Sequence, residues 1–189
     1  MIRFTLCIVF FFITASTISA QYDNGNLDKG YGLLAIDKPL SEIQSFLVKA
    51  EPGNLWNRNV QEMEGFITSH WMVNLQKAGL NSYFGLVVER CEVLCDMGYD
   101  EKTEAEFENV FSFTFFLKKP ENEKQEGDFL NKAYEQYGEA NFFLDPEGNV
   151  VRWDWFSEIT LLVISLGVNV ETGEELDYYI ADYVQGYGG

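Results

Sequence analysis

The chain has 189 residues, with 30 acidic groups against 13 basic ones, a net charge of −17 at neutral pH, and 16% aromatic residues. A charge of that sign repels phosphate backbones and anionic headgroups, which proteins hold through Lys and Arg clusters, and so argues against nucleic acid and membrane-surface partners. The length fits one domain able to bury about 70% of its unfolded surface, and the aromatic content argues against disorder except at the ends.

Residues 1–20 read as an export signal. Arg3 precedes an apolar run over 6–13, and small residues follow up to Ala20, where cleavage before Gln21 is expected. The run is shorter than the about 20 apolar residues that a membrane span needs. Cys7 lies inside the apolar run, whereas a lipid-modified cysteine would follow a small residue at the cleavage point, so no membrane anchor is expected. Cleavage leaves 12 basic against 30 acidic groups, a net charge of −18, on a single domain over 21–189. Its predicted location is periplasmic or secreted, and the lack of an Asn-x-Ser/Thr acceptor favours the former.

A short apolar strand is expected over 31–36. Ser41 and Gln44 then form a capping box, with Ile43, Phe46, Leu47 and Ala50 on one helical face until Pro52-Gly53. Asn59 and Glu62 open a second predicted helix, in which Met63, Ile67, Trp71 and Leu75 recur every four residues and Gly79 supplies the stop. His70 flanks that stripe and reads as a partly buried histidine rather than a catalytic base.

Residues 82–97 admit a strand or a helix. The stripe Phe84, Val87, Val88, Cys91, Leu94 and Cys95, closed by Gly98, favours helix. Cys91 and Cys95 would stand within about 6 Å on a helix, where a bridge is conceivable, and about 13 Å apart on a strand, too far for one. Buried free thiols are the favoured reading, and a lone histidine leaves a metal site short of ligands.

From Phe111 the period becomes two: Phe111, Phe113, Phe115 and Leu117 alternate with Ser112, Thr114 and Phe116, which predicts a strand. Residues 118–126 read as a solvated loop. Asp128 then caps a helix whose Phe129, Leu130, Ala133, Tyr134 and Tyr137 share a face, ending at Gly138. Strands follow over 141–144, 150–155, 159–170 and 176–183, joined by short turns and therefore antiparallel. The expected fold is α+β: an antiparallel sheet of about four to six strands, mostly in the C-terminal half, with three to four helices packed on one face.

Asp145-Pro146-Glu147-Gly148-Asn149 lacks the spacing of a calcium loop and reads as a β-turn. Over a dozen residues it resembles the Asp-Pro-x-Gly hairpin of thioredoxin-like exported proteins. No Cys-x-x-Cys accompanies it, so none of that family's chemistry follows. No cofactor, metal or nucleotide motif is evident.

The candidate binding residues are Trp153, Asp154, Trp155 and Glu158. On a strand both tryptophans share one side, as core or as an open aromatic patch. An open patch on an acidic surface predicts an exported, non-enzymatic binding or inhibitor module, immunity-like, that caps a basic protein. The alternative is a small glycan hydrolase of the envelope with two carboxylates, one of raised pKa and Glu158 the best candidate. A structural accessory role in the envelope is the third reading.

Overall fold

The computed structural model describes residues 26–50, 67–102, 104–168 and 175–186. The export segment, the Pro52-Gly53 stop and the cap at Asn59 and Glu62 lie outside them. Among the described residues, nine strands form one antiparallel sheet: β1 (Leu47–Lys49), β2 (Ile67–Val73), β3 (Ser82–Tyr83), β4 (Leu86–Asp100), β5 (Ala105–Lys118), β6 (Asn141–Leu144), β7 (Val150–Phe156), β8 (Thr160–Val168) and β9 (Glu175–Gln185). Their spatial order is β1-β2-β4-β5-β9-β8-β7-β6, with β3 also paired to β4. The helices are α1 (Leu40–Ile43), α2 (Leu75–Ala78) and α3 (Glu123–Tyr137).

The expectation of four to six strands and three to four helices is therefore corrected: the sheet is larger, and only α3 exceeds about one turn. Each error has a local cause. A spacing of four fits a strand as well as a helix, because four is a multiple of two. Trp71 and its neighbours accordingly extend as β2, paired with β4 from Ile67↔Met97 to Met72↔Glu92. Of the described residues of the predicted second helix, only Leu75–Ala78 are helical. Asn74 caps α2 by accepting from the Lys77 N–H at 3.0 Å, and Gly79 terminates it in the left-handed region at φ 69°.

The expected helix over 82–97 is the β3–β4 hairpin instead. Its turn places Phe84 and Gly85 at φ 49° and 97°, the positive values that a tight two-residue connection requires. An irregularity in the β4–β5 ladder between Val88 and Arg90 puts an extra residue on β4 and shifts its alternation, which helps to counterfeit a helical stripe. The Ser41 helix stops after one turn and a 3₁₀ turn, giving way to β1. Residues 31–36 form no strand, only an isolated Tyr31↔Leu34 bridge.

The second half follows the pattern more closely. β6 through β9 lie within a few residues of where alternation and turns place them, whereas β5 begins six residues before Phe111 and α3 begins six residues earlier than a cap at Asp128 implies. Asn122 is its cap, accepting from the Gln125 N–H at 3.0 Å, and the Gln125 side chain reaches back to the Glu121 N–H at 2.7 Å. The helix carries the chain from β5 in the middle of the sheet to β6 at its edge.

Opposed residues of an antiparallel sheet share a face. The register therefore draws one row straight across it: Trp71, Val93, Phe113, Tyr183, Leu162 and Trp155. This face is the core, roofed by α3 and by Leu27, Leu34, Ile36, Leu40 and Ile43. Phe129 of α3 stacks on Tyr179, and Tyr83, Tyr137 and Tyr183 meet beneath the helix. The Tyr183 hydroxyl lies 2.8 Å from both the Tyr83 and Tyr137 hydroxyls, and Tyr137 donates to the Gly30 carbonyl at 3.2 Å. Each buried phenol thus has a partner, and burial drives all three pKa values upward.

Candidate functional site

The residues singled out from sequence do not converge on one surface. Trp153 and Trp155 are 7% and 1% exposed and belong to the core. Trp155 packs against Tyr134 and Tyr137 and donates its indole N–H to the Gly138 carbonyl at 2.9 Å. Of the two readings of this pair, the structure takes core over open patch. Asp154 points to the opposite face, buried, and pairs with Arg152 through two hydrogen bonds of 2.6 and 2.7 Å. Glu158 is exposed beyond the end of β7.

The other tested motifs are structural. Both Asp145 carboxylate oxygens are taken by Asn149, at 2.8 and 2.9 Å, which closes the turn and lowers the Asp145 pKa. Cys91 and Cys95 are free, buried and four residues apart on β4. Burial pushes the Cys91 thiol well up and the Cys95 thiol up to about 12, so neither is a reactive thiolate near neutral pH. Burial also lowers the His70 pKa. Among the described residues no group of three or more His, Cys, Asp or Glu side chains is arranged to hold a metal, and no helix is long and apolar enough to cross a membrane.

The surface that combines acids with open aromatics lies elsewhere, on the β4–β5 hairpin. These are the longest strands, of 15 and 14 residues, and they outrun their neighbours. β9 accompanies β5 only as far as Ser112, and β2 accompanies β4 only to Met97. Past those points, among the described residues, the two strands pair with each other from Met97↔Glu108 to Asp100↔Ala105, with residues 37–39 bonded alongside Asn109 and Val110 at the base. Among the described residues, the end of this hairpin thus extends as an arm past its sheet neighbours.

Over residues 96–108 the arm's sequence holds Asp96, Asp100, Glu101, Glu104, Glu106 and Glu108 against Lys102. Tyr99 is 58% exposed, and Met97 and Phe107 are exposed as well. The Phe107 ring lies flat across Gly98: a Cβ at that position would come within 2.6 Å of the ring, so the glycine permits the crossing. Register puts Tyr99 beside Glu106 and Met97 beside Glu108 on one face, with Phe107 on the other.

At the base of the arm, α1 and β5 enclose an open groove of about 370 Å³, lined in part by Leu40, Gln44, Glu106, Phe107 and Glu108. That volume is near the low end of ligand clefts, about 300–1,000 Å³. The Glu108 carboxylate there is held from behind, accepting from the Ser69 hydroxyl, which itself accepts from the Trp71 indole N–H at 2.7 Å. Carboxylates pair with Lys and Arg, and the faces of Tyr and Phe attract guanidinium and ammonium groups. The groove and the arm thus present the group types that pair with cationic side chains.

Reasoning from sequence missed this arm because residues 98–110 sit between two stronger patterns. The available signal was six acids and two aromatics within residues 96–108. Comparison with protein-family models, curated proteins and solved structures found no match.

Proposed function

We propose that the chain is an exported, non-enzymatic binding module that caps a basic protein, and that the β4–β5 arm is its docking surface. One observation carries this reading: Tyr99, Met97 and Phe107 stand exposed on a projecting hairpin whose other side chains are mainly carboxylates. Aromatic anchors supply most binding energy in interfaces, while a surrounding field of one sign speeds encounter and selects the partner's charge. A net charge of −17 extends that field over the molecule.

The test is capture of partners by residues 21–189, immobilised, from the exported fraction of the source cells. A protein of high isoelectric point should be retained, should elute with moderate salt, and should bind the Tyr99→Ala/Phe107→Ala double variant at least about tenfold more weakly. Retention of the same proteins by both forms overturns the reading.

One observation favours the hydrolase alternative. The sheet face opposite the core carries the row Met72, Glu92, Thr114, Asp182, Val163 and Asp154. Burial raises the Asp182 pKa against hydrogen bonds from Thr114 and Ser112 that lower it. Asp182 and Asp154 are two strands apart, about 10 Å at the usual strand spacing. That reading requires glycan cleavage which Asp182→Asn abolishes.

A further inference from the structure

The apolar edge of the sheet carries an inference independent of the docking arm. β6 is the last strand in the spatial order, and its outer edge is paired to no described residue. Its four residues are Asn141, Phe142, Phe143 and Leu144, and the last three are 60%, 48% and 55% exposed. Val150 and Phe156 of the adjoining β7 are exposed too. Proteins usually guard such an edge with a charge, a proline or a covering segment. β6 has neither charge nor proline, and its large side chains are open on both faces.

We infer that this edge pairs with β6 of a second copy, joining two sheets into one. Charge selects that occupant. A like molecule, of charge −18 over residues 21–189, is repelled by acidic surface, and this strand is neutral along its length. A basic partner, conversely, finds no carboxylate on β6 to hold it.

Symmetry then selects the register. Two antiparallel strands related by a twofold axis perpendicular to the sheet keep their faces, so residues of equal parity must oppose one another. A register centred on Phe142 sets Asp145 against Glu139 of the other copy, acid on acid. Centred on Phe143 it sets Phe142 against Leu144 and Asn141 against Asp145, and its first acid-on-acid position, Glu139 against Glu147, falls in the turn after Asp145, off the strand. Phe143 then meets its own copy across the axis. The Arg152 guanidinium already lies 5.0 Å from the centre of the Phe143 ring, so the row Arg152, Phe143, Phe143, Arg152 crosses the junction with a cation over each ring.

The three β6 side chains expose about 300 Å² per copy, taking about 200 Å² for each large side chain. Two copies bury less than the about 1,200–2,000 Å² of standard stable interfaces, so the pairing is weak and concentration-dependent.

Sedimentation equilibrium of residues 21–189 tests this directly. The weight-average mass should climb from monomer toward dimer between low micromolar and submillimolar protein, and a mass that stays monomeric overturns the inference. Phe143→Lys, which sets two ammonium groups against each other, should hold the mass at monomer with the thermal transition retained. Dimerisation of that variant as tight as the parent's overturns the inference as well. Phe143→Cys should give a covalent dimer on mild oxidation, because opposed residues lie about 4.5–5.5 Å apart at Cα, within disulfide reach. Failure to crosslink overturns the register. The Tyr99→Ala/Phe107→Ala variant should dimerise like the parent, and loss of dimer there would place the contact on the arm instead.

Discussion

Two aromatic regions of this molecule are built from the same residue types and have opposite fates. Around Tyr183, the rings of Tyr83, Phe113, Phe115 and Tyr137 are sealed between the sheet and α3, with ring centres 4.3 to 6.4 Å from that of Tyr183. On the β4–β5 arm, Tyr99 and Phe107 stand in solvent. Aromatic density is not what separates them. Under the closed cluster β4, β5 and β9 each have a neighbour on both sides and a roof, whereas among the described residues the arm runs past its neighbours. A ring becomes core or anchor according to whether another element reaches its position, and that depends on the relative lengths of strands distant in sequence.

The largest effect should come from opening the closed region. Trp155→Ala removes a 1% exposed indole and leaves the Gly138 carbonyl without its N–H donor at the exit of α3. The expected loss is about 3–5 kcal/mol of unfolding free energy, from cavity and lost transfer together. Urea unfolding followed by circular dichroism measures it. A loss under about 1 kcal/mol would mean that Trp155 is not sealed and that the contrast between the regions is wrong.

Smaller, and of opposite sign at neutral pH, is the effect expected on the other face of the same closed sheet. Burial raises the Asp182 pKa above its unfolded value, so at pH between the two the native state holds a proton that the unfolded chain has released. The associated stability is full below the unfolded value and is lost as pH rises through the folded one. Asp182→Asn removes that dependence while leaving an oxygen to accept from Thr114, whose hydroxyl donates to Asp182 at 2.6 Å. At pH 7 the variant should be more stable by on the order of 1 kcal/mol, and the advantage should vanish as pH falls below the unfolded value near 3.9. Thermal melts across that range check it, and an advantage that persists in acid would contradict buried ionisation as the cause.

How much of this was legible follows the same geometry. From Phe113 to Leu117 each strand residue has one face in the core, so a period of two is written plainly, and the Asp145-Pro146-Glu147-Gly148-Asn149 turn announces the β6–β7 hairpin. In β4 the signal fails. Cys91, Val93 and Cys95 face the core, but Glu92 between them is also buried, and the ladder irregularity between Val88 and Arg90 resets the phase. Trp71 and Leu75, four apart, satisfy strand and helix alike. At the candidate site, the acids and aromatics of residues 96–108 were visible as composition. Their exposure was not, since it rests on how far the described pairing of β9 with β5 and of β2 with β4 extends, to Ser112 and Met97. The Trp153-Asp154-Trp155 triplet shows the converse: its alternation was readable, whereas the α3 roof over the tryptophans is a long-range fact.

The smallest stability effect should belong to the arm. Tyr99 is exposed on a segment flanked by few neighbours, so Tyr99→Ala removes little packing and should change unfolding free energy by less than about 0.5 kcal/mol. Set beside Trp155→Ala, the same kind of truncation then differs several-fold or more in cost between the two regions. If the arm is a docking surface, the ring's energetic role appears only when a partner covers it, and Tyr99→Ala should weaken capture of the basic partner while leaving the unfolding curve in place. A destabilisation of about 2 kcal/mol or more would instead show that the hairpin needs this ring to hold its own fold, and Tyr99 would move from the open class to the closed one.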